Sequence, residues 1–483
     1  MSEQTRPNIV FIMTDDHAAH AMSCYGSRIN KTPHMDRIAN EGVRFDNAFC
    51  TNAICTPSRA SILSGTYNHV NGVTTLNCGM DNRIMTFPKL LKARGYQTAI
   101  VGKWHLGAGP THDPSGFDYW QVLPGQGAYH DPVMNEMGVD RKHDGYCTDL
   151  ITDFSLDWLD KRDKERPFML MVHHKAPHRP WQPDAKHADM YEDEEIPYPE
   201  TFDDDYATRC GAAADAKMRV ADHMTLTDLK VEPPAGLSPT EQKKWNYQRY
   251  IKDYLRCVAA VDDNVGRVLD YLDAEGLTED TIVVYTSDQG FFLGDHGWYD
   301  KRFMYEESLR MPYVMRYPRL IKPGSVSSEM ILNVDFAPTF LELAGLEAPD
   351  FMQGSSFAPI LAGETPADWQ QAMYYRYWMH GSHHNVWAHY GVRTHRYKLI
   401  YFYADPLEHV SPDECAKGDW ERHEPAWELY DLEKDVKEIR NVFHDPEYAT
   451  VRAEMIELLD TLQSRVGDTA YTPAGASQPH PVV

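Results

Sequence analysis

Short apolar runs alternate with helix-period stretches along the first three quarters of the chain. NIVFIMT at the start, QTAIV (97–101), FMLMV (168–172) and TIVVY (281–285) are rich in β-branched or large apolar residues and too short to be helices. A helical stretch ending in KARG (92–95) precedes the second run, and the segment 149–163 precedes the third. A long helical pattern from 242 to 275 precedes the fourth. Strands that are apolar throughout, each separated from the next by a helix, predict a mostly parallel sheet covered on both faces. The stretch 189–239 breaks this rhythm: it is rich in Asp, Glu and Pro and weakly periodic. It reads as a long surface excursion, either near a site mouth or a solvated insertion without a role.

The pattern changes after LAGETP (361–366). Residues 373–378, 390–394 and 397–403 are strand-like, the last two resembling an antiparallel hairpin, and 446–465 reads as a helix. The expected fold class is therefore α/β, a large mixed and mostly parallel sheet sandwiched by helices in 1–365. A smaller C-terminal α+β domain with an antiparallel sheet is expected in 366–483. The tail after Thr472 reads as loose, and there is no internal repeat.

Composition narrows the function. A chain of 483 residues suffices for one large domain and a smaller one. With 47 basic against 72 acidic residues the formal charge is −25, which argues against nucleic acid as a partner. An anionic substrate would need a local cationic cluster to overcome that field. No basic leader with a cleavage site precedes the first apolar run, and no run approaches the roughly 20 residues that span a bilayer. The expectation is no membrane and a cytoplasmic location for the chain as it stands, periplasmic or secreted if a leader has been removed. Eight scattered cysteines without a CxxC pair do not make a disulfide framework or zinc site. Seven read as buried thiols; Cys55 does not.

Each strand candidate runs into chemistry. The first ends at Asp15-Asp16, the second enters Gly102-Lys103-Trp104-His105, the third His173-His174-Lys175-Ala176-Pro177-His178, and the fourth Ser287-Asp288-Gln289-Gly290. In an open α/β sheet ligands bind beyond the carboxyl ends of the strands, so all four meet at one edge. Asp15, Asp16, Asp288 and Gln289 offer only oxygen, which suits Ca²⁺, with Mg²⁺ as the second choice, rather than zinc. An isolated Asp-Asp pair would ordinarily be a cap or turn; a second oxygen pair closing another strand weakens that reading. In Cys55-Thr-Pro-Ser-Arg59 through Gly65, Pro57 suits a first helical turn and Gly65 a helix end. Cys55 is thus expected at a helix N-terminus, where anions are favoured. The generic reading is a thiolate activated by the helix dipole.

Cys55-Thr-Pro-Ser-Arg59 together with Gly65 also resembles the signature of the type I, formylglycine-dependent sulfatases of the alkaline phosphatase superfamily. The resemblance runs on through GKWHLG (102–107), APH (176–178), SDQG (287–290), Asp300 to Glu306, DFAPTFLELAG (335–345) and YGVRTHRYKLI (390–400), nearly the whole chain. It implies that Cys55 is oxidised to formylglycine, whose hydrate is the nucleophile. A formylglycine-generating or anaerobic sulfatase-maturating enzyme would do this during maturation. It further implies one Ca²⁺ on Asp15, Asp16, residue 55, Asp288 and Gln289. Arg59 would orient the nucleophile, Lys103 and His105 would stabilise it and assist turnover, and His178 and Lys301 would contact the sulfate and help protonate the leaving alcohol. Position 289 is Gln where many relatives carry Asn or His; its carbonyl still serves a metal.

The segment 297–310 is similar to carbohydrate sulfatases of the N-acetylglucosamine-6-sulfatase and heparan-sulfatase branch, implying a small sulfated carbohydrate such as 6-O-sulfated N-acetylglucosamine. The run from 378 to 389 mixes aromatics with histidines and is expected to reach over the site, with His383, His384 and Arg393 choosing the sugar. The alternatives are a phosphonate monoester hydrolase or phosphodiesterase of the same superfamily, and a catalytically silent sugar-binding relative. The latter should have lost Cys55, Arg59 or a metal carboxylate.

Overall fold

The structure, a computed structural model, describes residues 6–27, 29–407 and 422–472. The tail read as loose lies outside these residues. The large sheet holds β1 (Asn8–Thr14), β2 (Val43–Phe49), β3 (Gln97–Lys103), β4 (Tyr119–Leu123), β5 (Val133–Glu136), β6 (Val139–Lys142), β7 (Phe168–His173) and β8 (Thr281–Ser287). After a short ribbon of β9 (Phe292–Leu293) and β10 (Tyr299–Asp300) come β11 (Tyr313–Arg316) and β12 (Ser325–Leu332). The order across the large sheet is β12-β2-β11-β8-β1-β7-β3-β4-β5-β6. From β8 through β4 every neighbour is parallel, while β11 and β5 run against theirs. The mixed, mostly parallel sheet expected from the sequence is present, and the four motif-bearing strands are consecutive: β3, β7, β1, β8.

The centre of the sheet is apolar because it is covered. β7 and β8 are buried along their whole length and β1 in all but its first residue. One helix group joins Pro33–Asn40, Cys147–Lys161 and Pro239–Ala274. Another joins Cys55–Ser64, Phe87–Ala93 and Phe336–Leu343, the last holding Phe340 edge-on against Phe11 at 5.6 Å. The long helix starts where a capping box predicts: Ser238 and Glu241 satisfy each other's backbone N–H groups and Pro239 takes the first turn.

Strands the sequence did not reveal lie toward the sheet's margins. β2 carries Arg44, Asp46 and Asn47 among its apolar residues, and β6 is exposed throughout. The excursion 189–239 is not a solvated insertion. Ala212, Ala213, Ala216, Met218 and Val220 are fully buried, and Tyr299 N donates to Met218 O at 2.9 Å. Small residues bury without a periodic apolar signal, which hid this packing. Beyond it β13 (Ala372–Tyr377), β14 (His389–Thr394), β15 (Tyr397–Phe402) and β16 (Ala426–Asp431) form an antiparallel sheet in chain order. The helix Ala449–Val466 packs on it and stops at Gly467, whose φ of 73° is left-handed. Among the described residues no helix is long and apolar enough to cross a membrane.

Candidate active site

The carboxyl ends of β3, β7, β1 and β8 converge on the start of the helix Cys55–Ser64. Pro57 lies in its first turn and Gly65 closes it at φ 68°, as the pattern predicts. Cys55 is 1% exposed. Burial pushes the Cys55 thiol up to about 12, which weighs against the generic thiolate reading for the unmodified side chain. Arg59, one turn on, is buried; its Nε donates to Asp288 Oδ2 at 2.9 Å and its Nη1 to Lys103 O at 2.8 Å. Ser58 Oγ donates to Asp288 O and accepts from Asn333 Nδ2 at 2.9 Å, so the helix is stitched to the end of β8.

Three carboxylates meet here. One oxygen each from Asp15, Asp16 and Asp288 lies within 4.8 Å of the others, all buried. Asp15, Cys55 and His178 form a second such group, which brings residue 55 against the same Asp15. Each carboxylate has its own cation: Lys103 on Asp15, Lys301 on Asp16 at 2.6 Å, and Arg59 on Asp288. Asp15 Oδ1 and Gln289 Oε1 are buried acceptors without a donor. Unsatisfied buried oxygens are costly unless something binds them, so this all-oxygen set fits a hard divalent cation. The backbone is held in unusual shapes to achieve this: Asp16 (φ 69°), His105 (φ 55°), Asp300 (φ 79°) and Arg302 (φ 99°) are left-handed. Gly102 must be glycine, since a Cβ there would lie 2.0 Å from His173 O; that close approach sets Lys103 beside β7.

Both expected histidines are near the cluster and neutral. Burial, followed by the Lys103 charge, holds the His105 and His178 imidazoles well below the usual range. The carbonyl of Arg179 can only accept, so His178 Nδ1, 2.7 Å away, carries its hydrogen, and Nε2 presents a lone pair 3.7 Å from Asp16. The Thr56 hydroxyl donates to a carbonyl, His105 O at 2.9 Å, and so accepts from His105 Nδ1 at 3.2 Å. The free nitrogen of each ring is therefore Nε2. Lys301 is different: against the penalty of burial, the Asp16 carboxylate holds its ammonium above the ordinary lysine value.

The sugar-choosing trio divides. His384, left-handed at φ 68°, places Nε2 3.2 Å from Asp300 and 3.4 Å from Arg179 Nη1, beside the Lys301 loop. The 189–239 segment supports it: Lys217 O accepts from His384 Nδ1 at 2.9 Å, and Asp228 pairs with Arg179 at 2.6 Å. His383 is exposed, with its Nδ1 3.3 Å from Ser382 Oγ. Arg393 is committed elsewhere. It is buried, binds both oxygens of Glu306 at 3.0 and 3.1 Å, and lies 4.4 Å over the Phe49 ring. Lys398 joins Glu306 at 2.9 Å and Glu438 at 2.6 Å. This is a joint between the two sheets, and it leaves Arg393 no fork to offer a sugar. The hairpin pattern located Arg393 on a strand but could not say what it faced.

Sequence reasoning passed over Arg302, Lys175 and Tyr375. Arg302 pairs with Asp300 at 3.3 Å and donates to the Tyr377 hydroxyl at 3.1 Å. Tyr375, on β13, donates its hydroxyl to Arg302 O at 2.6 Å and accepts from Ala53 N at 3.0 Å. It thereby ties the Lys301 loop to the turn before Cys55. Lys301 adjoining Arg302, and Lys175 three residues before His178, were the available hints.

The sulfatase family model matches residues 7–346, and that for the N-sulphoglucosamine sulphohydrolase C-terminal region matches 294–413. An N-acetylglucosamine-6-O-sulfatase of Bacteroides thetaiotaomicron is 44% identical, with 96% of this chain and 88% of that protein covered. The human N-acetylglucosamine-6-sulfatase is 30% identical over 77% of this chain and 67% of its own length. A solved structure described as a complex with its substrate D-glucosamine-2-N,6-O-disulfate superposes with a TM-score of 0.90, at 43% identity, covering 96% of this chain and 98% of that one. With the motif-bearing strand ends, the Cys55 helix and the oxygen cluster in the arrangement described, the chain belongs to the sulfatase family and is a sulfuric ester hydrolase.

Proposed function

We propose that this sulfatase removes the 6-O-sulfate of N-acetylglucosamine or a closely related glucosamine unit of a glycan. Residue 55, oxidised from cysteine to formylglycine by a maturation enzyme, and one Ca²⁺ on Asp15, Asp16, residue 55 itself, Asp288 and Gln289 would serve the reaction. The observation that carries this reading is the buried Cys55 at a helix N-terminus, its sulfur grouped with Asp15 and His178. The likeness to an N-acetylglucosamine-6-O-sulfatase over 96% of the chain supports the sugar.

When bound, the cation would supply a Lewis acid and the hydrated aldehyde a hydroxyl nucleophile that can later collapse and release sulfate. The protein's own residues do the rest. Arg59, braced by Asp288 and Lys103 O, orients residue 55. His105 Nε2 holds and moves a proton there. Lys301 donates to the sulfate's oxygens, and His178 Nε2 faces the leaving oxygen, taking a proton from solvent as the anion arrives and passing it to the leaving alcohol as the S–O bond breaks. Sulfuryl transfer spreads negative charge over nonbridging oxygens, so fixed cations supply most of the rate. Residues 366–483 choose the sugar, with His384 as the contact best placed to do so and His383 at its exposed margin.

Mass spectrometry of the tryptic peptide 45–59 tests the nucleophile. In active protein, alkylation should mark Cys50 alone and residue 55 should carry an aldehyde; full activity with an alkylatable Cys55 would refute the proposal. Assay of modified protein on 6-O-sulfated N-acetylglucosamine, other sulfated sugars, an aryl sulfate and a matched phosphonate ester tests the substrate. The 6-O-sulfate is expected to have the highest kcat/KM, and a phosphonate preference would overturn the assignment.

A further inference from the structure

The charges of the site can be paired off, and one is left over. Arg59 answers Asp288, Lys103 answers Asp15, Lys301 answers Asp16 and Arg302 answers Asp300. Lys175, on the same loop as His178, is 2% exposed; its carbonyl accepts from His178 N at 3.1 Å, but among the described residues its ammonium has no ion-pair or hydrogen-bond partner. Its ammonium lies 4.9 Å from the centroid of the Tyr129 ring, and Tyr129 in turn donates to His178 O at 2.6 Å. The neighbouring thiols do not answer it, for burial pushes Cys147 and Cys257 up to about 12 and both are neutral.

A buried ammonium resting on one aromatic face is a poorly compensated charge. Lys175 enters from β7, which lies between β1 with the metal-type carboxylates and β3 with Lys103. It therefore stands in the strand-end cluster: on either side of it His174 N donates to Met13 O at 2.8 Å and Ala176 O accepts from Asp15 N at 3.4 Å, and the Asp16 carboxylate acts on its ammonium. The rim position is held by the Arg179–His384–Asp300 group. Its burial in the floor points to the group that reaches the floor. We propose that Lys175 binds the sulfate group itself, as a further catalytic cation that contacts the sulfuryl oxygens in substrate and product. This deepens the sulfatase reading and rests on it. It also bears on how a chain of charge −25 attracts an anion: these five cations face four carboxylates, before any metal is counted.

The test uses formylglycine-bearing, metal-loaded protein with inorganic sulfate as the probe. In the wild type, sulfate should raise the Tm and inhibit turnover as the product does. Lys175→Met and Lys175→Gln should fold and be as stable as the wild type or more so without sulfate, because they remove an uncompensated buried charge. Sulfate stabilisation should be largely lost, and sulfate inhibition weakened about tenfold or more. The rate kcat/KM should fall roughly 100-fold, equally on an aryl sulfate and a sugar sulfate, as when one oxyanion donor is removed. Lys175→Arg should keep part of the sulfate response.

Unchanged sulfate stabilisation and inhibition in the Met and Gln variants would overturn the proposal. So would a loss confined to the sugar sulfate, which would make Lys175 a sugar contact. Failure of both neutral variants to fold while the Arg variant folds would mean that the charge serves the fold, overturning it as well. A wild type that ignores sulfate while still hydrolysing esters would also overturn it. A wild type that neither binds sulfate nor hydrolyses sulfate esters would instead overturn the sulfatase reading beneath it.

Discussion

Two buried clusters of charge differ in balance. At the joint between the sheets, Arg393 and Lys398 face Glu306 and Glu438, two against two, with Arg393 in a bidentate fork. At the strand ends, five cations face four carboxylates, and Asp15 Oδ1, Gln289 Oε1 and Arg59 Nη2 are buried without partners. The joint pairs each of its charges within the protein, although Arg393 Nη1 is buried without a hydrogen-bond partner. The site is complete only with something added, and its left-handed residues show that the backbone is bent to keep it so. Buried polarity thus separates into charge that fastens and charge that waits, and the test is whether removal harms the fold or the chemistry.

The sharpest break should come from Cys55→Ala, which is expected to abolish turnover while leaving far-UV circular dichroism and Tm near those of the wild type. A large loss of stability would place Cys55 with the fastening kind. Glu306→Ala is the converse: it strands Arg393, leaves Lys398 with Glu438 alone, and should destabilise by about 3–5 kcal/mol in urea unfolding. Near-normal stability in that variant would dissolve the distinction. Asp288→Ala should lower bound metal, measured by elemental analysis, together with rate, since it removes an anionic ligand and frees Arg59. Normal metal content would remove Asp288 from the ligand set. His384→Ala should lower kcat/KM for a sugar sulfate by roughly 10- to 1,000-fold and affect an aryl sulfate much less. Equal losses would move His384 from sugar choice to the chemistry or the fold.

The smallest effect is a slope. Burial, opposed by Lys398, raises the Glu438 carboxyl from 4.5 to about 7. A raised carboxyl binds its proton more tightly when folded, so its contribution to stability is full below the unfolded value and declines as pH rises to 7. Between pH 4.5 and 7 the wild type should lose about 1–2 kcal/mol relative to Glu438→Gln, read from paired denaturant curves. Parallel pH profiles would show that Glu438 titrates normally.

The sequence exposed the site better than the joint. Asp15, Lys103, His178 and Asp288 could be brought to one edge because each follows an apolar run, and parallel strands end on the same side. Strand order was hidden, since nothing in β7 says that it lies between β1 and β3. Lys175 was hidden because its meaning lies in what it lacks, visible only after the neighbouring charges have been paired. Arg393 was misread because strand alternation says which residues share a face and not what packs on that face. The packing of 211–220 was missed because alanines bury without an amphipathic signature.

The Tyr375 hydroxyl has a consequence for how the gene can be divided. It joins two main-chain atoms, Ala53 N and Arg302 O, that flank the nucleophile and the Lys301 loop, and it comes from β13. A fragment ending at residue 365 would encode Cys55, Arg59, Lys103, His105, His178, Lys301 and every proposed metal ligand, yet lack the strut that spaces two of them. Domain exchange between sulfatases should therefore carry β13 together with the segments around Ala53 and Arg302 as one inheritable unit; a chimera joined at 365 would swap the rim and detune the centre.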